Sequence, residues 1–326
     1  MMNAPLTLID AVEAMVAQKR TVGYKYEAEE AILYRFVGFT RSQFPGLETI
    51  TEASVNAWID AAQKRTVTPA TLQGLTSPVR HLARWLILHD VAAYVLPTGV
   101  LRRPAAYIPH IYSDAELAAF FSQTDRCRYC SDVPLRHLIM PVLFRTIYAC
   151  GLRCSEGRLL RAEDVDLVTG VLLIRDAKGG KDRQIPVSEP LRVRLAHYHA
   201  QFDWMDHEWF FPGRRGHPLR LLNVYNNFRR FLWQARISHG GRGHGPRVHD
   251  FRHSFAVHNL RKWFATGKDV GAMLLILQTY MGHYSIADTA YYLRLTAESY
   301  PHIVMRLDET VGHVVPSLKG GLHHGN

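Results

Sequence analysis

Gly170-Val171-Leu172-Leu173-Ile174-Arg175-Asp176-Ala177-Lys178-Gly179-Gly180-Lys181-Asp182-Arg183-Gln184-Ile185-Pro186-Val187 is the stretch on which the fold turns. Residues 171–174 and 184–187 are apolar runs of strand length, with Thr169-Gly170 as one turn and 177–182 as the next. Together they spell a hairpin with a Gly-rich, basic tip. The segments around it keep helical spacing, so a small antiparallel sheet interrupts an otherwise helical domain.

On the C-terminal side, apolar residues recur at helical intervals near 191–200, 222–235, 250–264, 269–280 and 286–296. On the N-terminal side, Ser113 followed three residues later by Glu116 is a capping-box pattern opening a helix, and helices follow to about residue 160. Before that, 96–110 holds Pro97, Gly99, Pro104 and Pro109 without any period, the mark of a linker. The first hundred residues are helical throughout. A weaker segment near 8–17 leads to Ala28, Ile32, Phe36 and Phe39, stopped by Pro45-Gly46. Thr51 can cap a third helix with Val55, Trp58, Ile59 and Ala62 on one face. Thr68 and Pro69 can start a fourth, with Leu72, Leu75, Leu82, Trp85 and Leu86 inward and Pro78 expected to kink or interrupt it. The fold expected is mainly α with a small antiparallel β-sheet, in two domains: residues 1–100, a linker at 101–110, and 111–326.

A chain of 326 residues has room for two cores. Its 39 Lys and Arg against 29 Asp and Glu give a formal net charge of +10, which suits a polyanionic partner because each neutralised phosphate releases counterions. Lys64, Arg65, Arg80, His81 and Arg84 offer a DNA-facing surface on the first domain; a solvated helix face fits the same charges. The start lacks a basic region before an apolar core, and the longest apolar runs fall short of a bilayer span. A soluble, cytoplasmic protein without membrane contact or disulfides is therefore expected.

Phosphodiester transfer without a metal needs a nucleophile, cationic or hydrogen-bonding groups for the non-bridging oxygens, and an acid for the leaving oxygen. Four segments supply such groups. Arg153, in Cys150-Gly151-Leu152-Arg153-Cys154-Ser155-Glu156, carries a planar fork that bonds two phosphate oxygens at once, although alone it also fits a surface arginine. The hairpin tip holds Lys178 and Lys181. His249 and Arg252 are spaced i, i+3, so both side chains lie on one helix face. In Met281-Gly282-His283-Tyr284-Ser285-Ile286-Ala287-Asp288-Thr289-Ala290-Tyr291-Tyr292, a histidine precedes a tyrosine pair.

In this order the segments resemble the tyrosine recombinase (phage integrase) family: its Gly-Leu-Arg-x-Ser-Glu signature, its β2–β3 turn, its His-x-x-Arg box and its Leu-Gly-His-x-x-Ile-x-x-Thr-x-x-Tyr ending, here with Met281 for leucine. The resemblance covers roughly 112–296, and the N-terminal helices by architecture alone. It implies a core-binding domain and a catalytic domain closing around duplex DNA. Tyr292 would attack the phosphate to give a 3′-phosphotyrosyl link, Arg153, Arg252, His249 and His283 would stabilise the charge, and Lys178 would protonate the departing 5′-oxygen. Register from His283 favours Tyr292 over Tyr291, which lies about 100° around the helix. No metal, ATP or other cofactor is implied. The partners implied are double-stranded DNA recombination sites, further copies of the chain in a tetramer, and partner recombinases. The ending Ala290-Tyr291-Tyr292-Leu293-Arg294-Leu295-Thr296 looks closer to recombinases of mobile elements than to chromosome-dimer resolvases. A type IB topoisomerase and an inert DNA-binding relative remain as alternatives. So do a metal-dependent hydrolase using His249, Asp250, His253 and His258, and a zinc site at Cys127, Cys130, Cys150 and Cys154.

Overall fold

In the computed structural model the described residues are 6–65, 67–102, 107–175, 182–201, 207–241 and 245–299. The chain divides into two compact units, Met1–Tyr107 and Ile108–Asn326. The described residues are mostly helical, with one three-stranded antiparallel sheet.

The first unit contains α1 (Leu8–Thr21), α2 (Glu27–Gln43), α3 (Glu52–Gln63) and α4 (Pro69–Leu88). Three of the four begin at a threonine. Thr7 and Thr51 make reciprocal caps with Asp10 and Ser54, and Thr68 accepts from the Thr71 amide with Pro69 in the first turn. Leu8, Val12, Met15, Leu33, Phe36, Val55 and Leu82 line the shared core, each large side chain contributing about 1.5–3 kcal/mol by leaving water. Of the two outcomes expected at Pro78, an interruption does not occur: α4 runs through it. Its ring is buried among the other core residues, and the carbonyl that loses a helical partner belongs to exposed Gly74, where water can serve it.

The second unit opens with α5 (Asp114–Asp125), whose Ser113–Glu116 box is formed: the Ser113 amide donates to Glu116 at 2.8 Å, and the Glu116 amide to the Ser113 hydroxyl at 3.2 Å. Then come α6 (Arg136–Ala149), the short α7 (Cys154–Arg158), the strands β1 (Val165–Asp166), β2 (Val171–Ile174) and β3 (Arg183–Pro186), and α8 (Glu189–His199). Next are α9 (Leu221–Gln234), α10 (Asp250–Ala265), α11 (Val270–Met281) and α12 (Ile286–Ser299). The sheet runs β1-β2-β3, with Leu172 opposite Ile185 and Ile174 opposite Arg183. β3 thus starts one residue before the sequence suggests.

Two apolar clusters fill this unit, and α10 belongs to both. Phe251 joins Phe120, Phe144, Phe228 and the sheet residues Leu172 and Ile185. Six and nine residues further along α10, Val257 and Leu260 pack with Leu274, Leu277, Met281, Tyr292 and Leu293 of α11 and α12. Phe251 stacks on Tyr112 at 4.9 Å and meets Phe120 edge-on at 5.2 Å. α10 therefore ties the sheet half of the unit to its last two helices, and its N-terminal turn lies between them.

Candidate active site

Gly151 sets the entry to the site. Its φ is +57°, and a Cβ there would meet the Phe255 ring at 2.5 Å, so α6 ends in a turn that only glycine fits. The turn delivers Arg153 to the N-cap of α7. Its backbone N–H and Nη1 donate to the two oxygens of Glu156 at 2.8 and 2.7 Å, and Nη2 donates to the Gly282 carbonyl at 3.3 Å.

Arg252 projects from the first turn of α10 and is 1% exposed. Its Nη1 donates to the Gly151 carbonyl and its Nη2 to the Met281 carbonyl, both at 2.7 Å. A guanidinium so deeply buried is unusual and needs such partners. Burial and the nearby Arg153 bring it down to about 10, still charged at neutral pH. Its charge also acts on the Tyr292 phenol.

Tyr292 is 3% exposed on α12, whereas Tyr291 is 38% exposed. Burial raises the phenol above its ordinary value, and the charge of Arg252 opposes that rise. Its ring lies parallel to His283 at 5.8 Å and tilted against His253 at 5.6 Å. His283 follows the left-handed cap Gly282, and its Nδ1 bonds the Thr289 hydroxyl at 2.8 Å. His249, at the N-cap of α10, meets His253 edge-on at 4.8 Å.

The three imidazoles are held uncharged. Burial first, then the field of Arg252, Arg153 and their neighbours, lowers His249 and His283 to about 4 and His253 to about 3. The pocket is therefore electropositive through its arginines, with neutral rings as further hydrogen-bonding groups.

Of the six residues singled out in the sequence, Arg153, His249, Arg252, His283 and Tyr292 lie in this cluster, and Lys178 falls outside the described residues. Three participants went unread. His253 figured only as a metal ligand; its Nδ1 is buried without a hydrogen-bond partner. Glu156 and Arg183 form a buried pair at 2.8 Å. The signal for Glu156 was its place in the arginine segment, and for Arg183 an arginine opening a strand that otherwise buries aliphatics. Among the described residues no group of three or more His, Cys, Asp or Glu is placed to hold a metal. His258 is turned to the Tyr148 hydroxyl at 2.9 Å, and the four cysteines are free thiols. Nor, among the described residues, is any helix long and apolar enough to cross a membrane.

A mainly helical domain that gathers two arginines, three histidines and a buried tyrosine in one cluster is the arrangement expected of an enzyme that acts on DNA phosphates. The profile of the Phage integrase family matches residues 116–299. The chain belongs to this family, the tyrosine-type site-specific DNA recombinases. It is 30% identical over 313 residues to the putative integrase/recombinase y4rB of Sinorhizobium fredii, covering 93% of this chain and 97% of that one. To y4rE of the same organism it is 33% identical over 293 residues, covering 87% and 90%. The XerH site-specific recombinase, solved on a palindromic difH substrate, shares the fold with a TM-score of 0.61 at 18% identity, over 92% of this chain and 83% of that one.

Proposed function

We propose that this chain cleaves and rejoins double-stranded DNA at specific sites through a 3′-phosphotyrosyl intermediate on Tyr292. The observation that carries the reading is the setting of buried Tyr292: the His283 and His253 rings lie 5.8 and 5.6 Å from its ring, the charges of Arg252 and Arg153 act on its phenol, and Arg153 is bonded to Gly282 beside His283. In the reaction the Tyr292 oxygen forms a bond to phosphorus as the bond to the 5′-oxygen breaks. The phenolic proton leaves the nucleophile, and Lys178 supplies one to the departing oxygen. Arg153 and Arg252 hold the non-bridging oxygens, with His249 and His283 as additional donors once the phosphate raises their proton affinity. The covalent ester keeps the phosphodiester's energy, so rejoining by a 5′-hydroxyl runs the same steps backwards without ATP or a metal ion.

The helical unit of residues 1–107 is the second hand on the DNA, supported by its basic surface positions. A tetramer on two sites, from identical copies or with partner recombinases, follows from the family's mode of action. The mobile-element reading is supported by the similarity to the integrase/recombinases of Sinorhizobium fredii. The test is covalent trapping on a nicked suicide duplex, with and without EDTA. The proposal expects an adduct in both; cleavage without an adduct that stops in EDTA and returns with a divalent ion, at unchanged DNA binding, speaks for the hydrolase instead.

A further inference from the structure

The strand that leaves the Gly-rich tip opens with an arginine turned inward. The Arg183 side chain is 8% exposed. Its Nη2 and Nη1 donate to the two oxygens of Glu156 at 2.8 and 3.1 Å, and its Nε donates to the Tyr280 carbonyl at 3.0 Å. Glu156 is at the same time the partner of Arg153, through backbone and side chain, and lies 4.0 Å from Arg252. Tyr280 begins the segment whose next two carbonyls, Met281 and Gly282, take Arg252 and Arg153. A Cβ on Gly282 would stand 2.9 Å from the Arg183 Nη1, so the absence of a side chain there makes room for the fork. One guanidinium thus joins β3, the start of α7 and the end of α11.

We propose that Arg183 is a positioning residue for strand cleavage, clamping Glu156 and the Tyr280 carbonyl so that Arg153 and the 280–283 turn carrying His283 keep the geometry a scissile phosphate requires. The proposal rests on the reading of Tyr292 given above. Arg183 does not itself reach the phosphate; its influence runs through Glu156. A lysine keeps the charge but has no planar fork to span both carboxylate oxygens and a carbonyl. The charged and titratable groups facing Glu156 are Arg153 from its own helix start, Arg183 from β3, and Arg252 and His249 from the start of α10. Burial pushes the Glu156 carboxyl up, and the bonds and charge of Arg183 and Arg153 outweigh it, holding it at about 2. Without Arg183, burial is opposed by the bonds of Arg153 and by the more distant charge of Arg252.

The test is the rate of covalent adduct formation on a nicked duplex from pH 5 to 8, for wild type, Arg183→Gln, Arg183→Lys, Glu156→Gln and the Arg183→Gln/Glu156→Gln double variant. Arg183→Gln is expected to slow cleavage roughly 10- to 100-fold, the scale of a small misplacement of catalytic groups, with DNA affinity changed less than about threefold. It should also gain an acid limb beyond that of the wild type, as Glu156 takes up a proton. Arg183→Lys should fall between the two. The double variant should match Glu156→Gln in rate and lack the added limb, because both changes break one link. If Arg183→Gln fails to fold, Arg183→Lys carries the test with a loss of about 10-fold. A folded Arg183 variant that cleaves at the wild-type rate overturns the proposal, as does strict additivity of the two losses. A wild type that forms no adduct overturns the Tyr292 reading instead.

Discussion

The guanidinium charge of Arg252 acts on the phenol of Tyr292 while its two terminal nitrogens donate to the carbonyls of Gly151 and Met281 at 2.7 Å. One buried side chain thereby joins the ends of α6 and α11 beside Tyr292 of α12. The same cation favours the phenolate form of Tyr292, against the burial that disfavours it. Structural and chemical roles are merged in this arginine, and its substitutions should show both.

Arg252→Ala should therefore lower stability by about 2–4 kcal/mol, since it leaves two buried carbonyls without their donor. Thermal or denaturant unfolding measures this. A melting temperature equal to that of the wild type would mean that the two carbonyls find other partners.

Acid should destabilise the free protein. His249, His253 and His283 sit at about 4, 3 and 4 in the folded state against an ordinary 6.5, so the unfolded chain binds more protons between about pH 4 and 6.5. Their contribution is complete above about pH 6.5 and shrinks as pH falls towards 4. Glu156, held at about 2 against an ordinary 4.5, adds a further loss below pH 4.5. Melting temperatures should fall from pH 7.5 to pH 4.5, and NMR should show these imidazoles unprotonated at pH 6. A histidine titrating near 6.5 in the DNA-free protein would contradict the buried, cationic pocket.

Gly282→Ala should damage cleavage more than its stability cost explains. The left-handed conformation at φ +65° costs a side-chain-bearing residue about 1 kcal/mol, and the added Cβ also presses on Arg183. The expected result is a modest drop in melting temperature with a cleavage loss of roughly 10-fold or more, on the scale of a misplaced catalytic group. A fully active Gly282→Ala would show that the 280–283 turn tolerates a shift.

Local pattern carried the elements, and spacing within each segment carried the candidate residues. The Ser113–Glu116 box and the Thr68-Pro69 start appear in the structure where the sequence puts them, because capping is a contact between near neighbours. The two-residue β1 has no period of its own and goes unread. The continuity of α4 through Pro78 depends on which carbonyl is orphaned and whether it faces water, and that is a tertiary fact. The same limit hid Arg183, whose partner Glu156 is 27 positions away, and the anchoring of Arg252 at Gly151, 101 positions away. His253 was visible only as one more histidine on a helix. Its place against the Tyr292 ring arises from the packing of α10 on α12.

Lys178→Ala should slow cleavage by roughly 100- to 10,000-fold, the range of a positioned general acid, with little change in DNA binding. A substrate with sulfur in place of the bridging 5′-oxygen should restore the rate, since a thiolate departs without a proton. Arg153→Ala should stay slow on that substrate, because its work lies on the non-bridging oxygens. Rescue of Lys181→Ala in place of Lys178→Ala would move the acid three residues along the tip.

The most direct measurement is to trap the protein on a nicked suicide duplex, digest the adduct and locate the nucleotide-bearing residue by mass spectrometry. The buried phenol beside Arg252 should carry the DNA, with the modification on Tyr292, and Tyr292→Phe should form no adduct while still binding the duplex. DNA on the half-exposed Tyr291, or an adduct that survives Tyr292→Phe, would contradict the account.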